Sequence, residues 1–172
     1  FVLHPRTQKE KLCRPPRMFY CEQLAQYILG KYGNQNPQGI KYQIILNGNI
    51  HNIQSALEAI KKCPTCHGIM IARSAVQKPW IFSQIERQLF SQDSEQVQNI
   101  PTQNIKVDLL EIAQSFVDNL IECQPKDFWK SRGHRFFTYY CNNFMFATQI
   151  RCRILNCNTL QDMIFQLKEY FG

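Results

Sequence analysis

The chain has 172 residues, 44% of them apolar and 19% charged, which is enough for one ordinary domain with a core of its own. No apolar run approaches the length of about 18 residues that a bilayer-spanning helix requires, so a helical membrane span is excluded. A formal net charge of +7 and a pI near 9.0 point to a polyanionic partner without naming one.

"FVLH" (1–4) is a short apolar run without alternation, as in a strand buried on both faces. "MFYCEQLAQYILGKYG" (18–33) carries Phe19, Leu24, Tyr27 and Ile28 at helical spacing, with Gly30 or Gly33 to end it. "YQIILN" (42–47) is a second strand. After the turn "GNIHN" comes a helix over 52–62 that Asn52 can cap. "GIMIA" (68–72) is a third buried strand, and "PWIFSQIERQLF" (79–90) a helix with Pro79 in its first turn, where a missing N–H does no harm. "SQDSEQVQNIPTQN" (91–104) is polar and holds a Pro, so it reads as a linker. Beyond it lie an amphipathic helix over 105–123, one or two aromatic-rich helices over 126–155, and a helix from Thr159 to 171, with Thr159 and Asp162 spaced as a capping box. No strand signal follows residue 104.

Alternating strands and helices predict parallel strands covered by helices. Three strands fall short of a complete barrel, which takes roughly 250 residues. The expected fold class is therefore α/β: the last three parallel strands of a (β/α)8 TIM barrel over residues 1–90, a linker over 91–104, and an all-α bundle over 105–172. The N-terminus "FVLHPRTQKEK" has neither Met nor the pattern of a secretory signal, and it starts as though in mid-strand. The expectation is a C-terminal part of a longer, intracellular protein, cytoplasmic or nuclear, with its eight cysteines reduced. Cys123, Cys141 and Cys152 read as small hydrophobes on apolar helix faces.

In such barrels ligands sit at the carboxyl ends of the strands, often with a phosphate between the last two loops. Here those loops are Asn47-Gly48-Asn49 and Ala72-Arg73-Ser74. Gly48 allows close backbone approach, the two Asn side chains offer donors, and Arg73 and Ser74 open a helix with N–H groups and a positive charge. Alone, an Asn-Gly-Asn is most often just a turn. Two such turns closing consecutive strands make a phosphate site the expectation. His4 and Arg6, after the first strand, share that rim.

Cys63-Pro-Thr-Cys66-His67 spells the attachment pattern for c-type haem. Haem needs a pocket, a distal ligand and an oxidising compartment, none of which has support. A zinc site lacks a second pair of ligands with convincing spacing, Cys152 and Cys157 being the nearest. The expectation is a plain loop, with no metal, no haem and no membrane partner, in a monomer.

"LHPRT", "ILNGNI" and "GIMIARSAVQKPWIF", followed by a helical tail, resemble the C-terminal half of the flavin-dependent tRNA-dihydrouridine synthases, well over residues 1 to about 85 and in general character beyond. "HPRTQKEKLCRPP" leans toward the eukaryotic branch. The resemblance implies a barrel holding FMN, a helical domain gripping tRNA, and NADPH as the reductant for the uridine C5–C6 double bond. It implies that His4 contacts flavin and that Arg6 lies at the flavin or RNA face. It also makes Asn47, Gly48, Asn49, Ala72, Arg73 and Ser74 the phosphate turns. Ser74 stands where the family usually has Gly, and Pro5 where Gly is common. The family's proton-donating Cys and flavin-contacting Lys belong to strands that this chain does not contain, so no catalytic residue is assigned within it and the isolated piece is expected to be inactive.

In the tail, Lys126, Lys130, Arg132, Arg135, Arg151 and Arg153 surround Phe128, Trp129, Phe136, Phe137, Tyr139 and Tyr140. Cations meet phosphates and rings stack on unpaired bases, so this pattern suits RNA; equally, aromatics at helical spacing build cores. With the resemblance, Lys130, Arg132 and Arg135 become the RNA-binding candidates. The rival readings are a flavin reductase acting on a small molecule and a non-catalytic RNA-binding fragment.

Overall fold

The computed structural model describes residues 1–10, 14–33, 39, 41–92 and 107–172. Cys13 and most of the linker expected over 91–104 lie outside the described residues. The chain divides into two compact units, Phe1–Ala75 with Pro79–Asp93, and Val76–Lys78 with Ser94–Gly172.

The first unit is built on three parallel strands in the order β1 (Val2–Leu3), β2 (Ile45–Asn47) and β3 (Gly68–Met70). The register pairs Leu3 with Leu46, and Leu46 with Ile69. Parallel strands cannot be joined by tight hairpins, so a helix fills each connection: α1 (Phe19–Tyr32) and α2 (Ile53–Lys62). Asn52 caps α2 in a reciprocal box. Its side chain accepts from the Ser55 N–H at 2.8 Å, while Ser55 Oγ accepts from the Asn52 N–H at 3.1 Å. After β3 come the short α3 (Arg73–Gln77) and then α4 (Ile81–Gln92). α3 opens at Arg73, where the sequence places a helix start, and Pro79 stands in the turn just before α4 rather than inside it.

Leu46 of the central strand, Ala56 and Ala59 of α2, Ile81 and Ile85 of α4, and Cys21 of α1 form one buried cluster. Alanines at i and i+3 let α2 lie close against its neighbours. Leu46, Ile81 and Ile85 are each worth about 1.5–3 kcal/mol when fully covered. The outer strands leave Val2 59% and Met70 42% exposed.

The second unit is helical throughout its described residues: α5 (Leu109–Cys123), α6 (Trp129–Tyr140), α7 (Ala147–Leu155) and α8 (Leu160–Phe171), with short 3-10 turns at Lys126–Phe128 and Cys141–Asn143. Asp108 caps α5 by accepting the Leu110 and Glu111 N–H groups, each at 2.9 Å. Its core is aromatic. Phe136 stacks between Phe116 and Tyr140, with ring centroids 3.7 and 4.7 Å away. The buried Tyr140 hydroxyl donates to Leu109 O at 2.7 Å, which removes the penalty of enclosing it. Gly133 lets α8 approach, because a Cβ there would lie 2.7 Å from Leu160 Cδ2 and 2.9 Å from Met163 Sδ. Thr159 Oγ1 accepts the Asp162 N–H at 3.1 Å and so caps α8. Among the described residues no helix is long and apolar enough to cross a membrane.

Candidate functional site

Because the three strands run parallel, the loops that follow them leave from the same end of the sheet. Those loops meet around a pocket of about 200 Å³, lined by His4 and Arg6 after β1, Asn47 at the end of β2 with Gly48, Asn49 and Ile50 beyond it, and Met70 at the end of β3 with Ala72, Arg73 and Ser74 beyond it. All eight candidate residues of the first unit are thus gathered in one place. Ile50 and Met70 are the additions; as apolar residues they carry no motif that could have marked them.

Local chain chemistry sets each loop. Across Pro5 the Arg6 N–H donates to the His4 carbonyl at 2.8 Å, a three-residue turn whose central φ suits proline. The chain then doubles back. The Arg17 N–H donates to Pro5 O at 3.0 Å, and Glu10 accepts the Thr7 N–H at 2.8 Å while pairing with the Arg17 guanidinium. The Thr7 backbone bond first, and Arg17 second, hold the Glu10 carboxyl down at about 2.

In the second loop, Gly48 has φ +135° and Asn49 φ 57°. Asparagine tolerates the left-handed region and other non-glycine residues resist it. At Gly48 space is also lacking, since a Cβ would stand 2.9 Å from His4 Cε1 and 3.3 Å from Pro16 Cβ. Gly48 is therefore required twice, by its backbone angle and by the imidazole packed on it. In the third loop Arg73 opens α3, exposed, with Ser74 half-buried beside it.

One polar atom in this region is unsatisfied. Arg6 Nε is buried and has no hydrogen-bond partner among the described residues. An orphaned buried donor of this kind costs about 1–3 kcal/mol. Its place beside a pocket that also holds Arg73 makes an anion the natural acceptor.

The tail candidates belong to the second unit. Lys130, Arg132 and Arg135 are exposed on α6. Lys130 Nζ donates to Asn158 Oδ1 at 2.7 Å, and the Arg132 guanidinium lies 5.3 Å from the centre of the Phe128 ring. Phe136, Phe137 and Tyr140 are buried, so as folded these rings are core and have no face to offer a base. Of the three cysteines expected on apolar faces, Cys141 is buried, whereas Cys123 and Cys152 are exposed.

A family model described as dihydrouridine synthase (Dus) matches residues 1–169. A probable tRNA-dihydrouridine synthase of Rickettsia prowazekii (strain Madrid E) is 27% identical over 127 residues, covering 74% of this chain and 36% of that protein. Another, of Rickettsia bellii (strain RML369-C), is 36% identical over 81 residues, covering 47% of this chain and 24% of that protein. The tRNA-dihydrouridine(47) synthase of Saccharomyces cerevisiae (strain YJM789) is 25% identical over 100 residues, covering 52% of this chain and 15% of that protein. The matched segment thus spans little more than a third of these relatives' length at most.

Proposed function

Since the chain belongs to the dihydrouridine synthase family, whose model covers residues 1–169, we propose that it is the closing segment of an FMN-binding (β/α)8 barrel, followed by a helical tRNA-binding domain, in an enzyme that reduces uridine in tRNA. The observation that carries this is the meeting of three post-strand loops on one pocket beside an Arg6 Nε that has no partner among the described residues. The residues present fit the phosphoryl end of FMN: Gly48 leaves room for a backbone approach that a Cβ would close, and Arg6 and Arg73 bring positive charge. At about 200 Å³ the pocket is smaller than the roughly 300–1,000 Å³ of whole-ligand sites. It suits the phosphoryl group, with the flavin ring lying against other parts of the barrel. Exposed Val2 and Met70 on the outer strands agree with a sheet that continues on both sides.

When bound, FMN recharged by NADPH supplies the hydride for the uridine C5–C6 double bond. The part of this chain is to bind and orient. The Asn47–Asn49 turn and the Ala72–Ser74 turn hold the phosphoryl oxygens, and His4, fixed over Gly48, packs toward the flavin. Arg6 neutralises charge on the same face, whether that of the phosphate or of the RNA. Lys130, Arg132 and Arg135 meet the phosphate backbone of tRNA, a sequence-independent and salt-sensitive contribution. Flavin absorbance of the full protein, purified without added cofactor, tests the reading. A yellow protein that loses its flavin on Arg73→Ala supports it. A colourless, folded protein that still binds tRNA would instead make this a non-catalytic RNA-binding module.

A further inference from the structure

The turn Cys63-Pro-Thr-Cys66 lies between the end of α2 and β3, away from the loops that line the phosphate pocket. Cys63 caps α2, and the Cys66 N–H closes back on the Cys63 carbonyl at 3.1 Å. Taken alone this is a loop. The fold, however, brings the first turn of α1 against it. The Glu22 carboxylate accepts the Thr65 N–H at 3.1 Å and the Thr65 hydroxyl at 2.6 Å. The ligand atoms of Glu22, Cys63 and Cys66 all lie within 4.8 Å of one another.

We propose that Glu22, Cys63 and Cys66 hold a zinc ion that ties α1 to the α2–β3 loop, with a water as its fourth ligand. Tetrahedral Zn–S bonds of about 2.3 Å place ligand atoms roughly 3.8 Å apart, so closure on an ion takes a contraction of about an ångström or less. Cys21 is fully buried in the same core cluster as Cys63, but its Sγ is not among the ligand atoms that lie within 4.8 Å of one another. His67 is not a ligand either. Its Nδ1 accepts the Ile44 N–H at 3.3 Å, which leaves the proton on Nε2 and no ring lone pair to give. Cys152 and Cys157, the partners that spacing suggested, belong to the second unit. There Cys152 is exposed and Cys157 Sγ donates to Arg153 O at 3.4 Å.

Two thiolates and one carboxylate select a borderline-soft ion over magnesium or calcium. The site also has its outer support and its access. Thr65 and Gln26 hold the carboxylate in place, Gln26 Nε2 donating at 2.8 Å, and a cavity of about 340 Å³ opens beside Cys63, Pro64 and Cys66. With three protein ligands the fourth position is left to water.

The test uses the full protein. Metal content after dialysis against a weak chelator should be one zinc per chain. Replacement by Co²⁺ should give intense tetrahedral d–d bands with thiolate-to-cobalt charge transfer. Cys63→Ser or Cys66→Ser should abolish those bands, Thr65→Val should weaken Zn²⁺ by about 10–100-fold, and Cys152→Ser should change nothing. A wild-type protein with substoichiometric zinc and only weak octahedral cobalt bands overturns the proposal, and so does a Cys66→Ser spectrum identical to wild type. The wild-type spectrum decides even if a variant fails to fold. Flavin content read on the same samples keeps this result separate from the fate of the FMN reading.

Discussion

Replacing Arg6 by Met separates a binding arginine from a structural one. In the ligand-free protein Arg6 Nε is buried without a partner among the described residues. Removing an unsatisfied buried donor relieves a penalty of about 1–3 kcal/mol, against which the loss of some packing must be set. The apo protein should therefore melt at the same temperature or a few degrees higher, at about 2–4 °C per kcal/mol for a domain of 150–250 residues. On the ligand side, a charge-assisted hydrogen bond worth about 1.5–3 kcal/mol disappears, which corresponds to roughly 10–150-fold weaker FMN. The assay pairs thermal melts of flavin-stripped full protein with FMN titration by flavin fluorescence. A drop of many degrees in the apo melting temperature with unchanged FMN affinity would refute the reasoning, because it would make Arg6 a structural residue.

Gly48→Ala places a methyl against the His4 ring at φ +135° and should strip flavin while destabilising by about 1–3 kcal/mol; full flavin retention counts against the turn's role. Gly133→Ala drives a Cβ into Leu160 and Met163 and should destabilise the helical unit by about 1–3 kcal/mol in chemical denaturation, with FMN affinity unaffected. The Glu10 carboxyl is depressed in the folded state, so its stabilisation of the Thr7–Arg17 loop is complete above about 4.5 and is lost as pH falls toward about 2. The Thr7 amide followed by NMR should titrate near the lower value, and a midpoint near 4.5 contradicts the clasp. Changing Lys130, Arg132 and Arg135 together to Ala should flatten the salt dependence of tRNA binding by roughly two to three in log–log slope; an unchanged slope removes this face from the RNA surface.

The parallel order of the strands was legible because "FVLH", "YQIILN" and "GIMIA" are continuous apolar runs, each followed by a helix-length segment, and that pattern admits few topologies. The site was legible for the same reason: once strands are parallel, the residues just after them share an end, so the Asn-Gly-Asn and Ala-Arg-Ser turns are brought near one another. The second positive φ, at Asn49, and the seating of His4 on Gly48 depend on backbone detail that no residue pattern carries. The start of α3 at Arg73 was legible, but its end at Gln77 was not, because "RSAVQ" is too short to show a period. In the tail, Gly133, Phe136, Phe137 and Tyr140 form the buried stripe of α6, the core that aromatics at helical spacing also allowed. Cys123 lies three residues past the buried Leu120, on the expected stripe, but the helix ends there and leaves it exposed. The approach of Glu22 to Cys63 and Cys66 is tertiary and has no signature in spacing.

Comparing FMN with riboflavin tests the central claim most directly, since the two differ only in the phosphoryl group that the turns are held to grip. The full protein should bind FMN more than about 100-fold tighter than riboflavin, as two or more charge-assisted hydrogen bonds imply, and Arg73→Ala should shrink that ratio while leaving riboflavin affinity unchanged. Equal affinity for the two flavins, or a ratio that Arg73→Ala does not move, would contradict it.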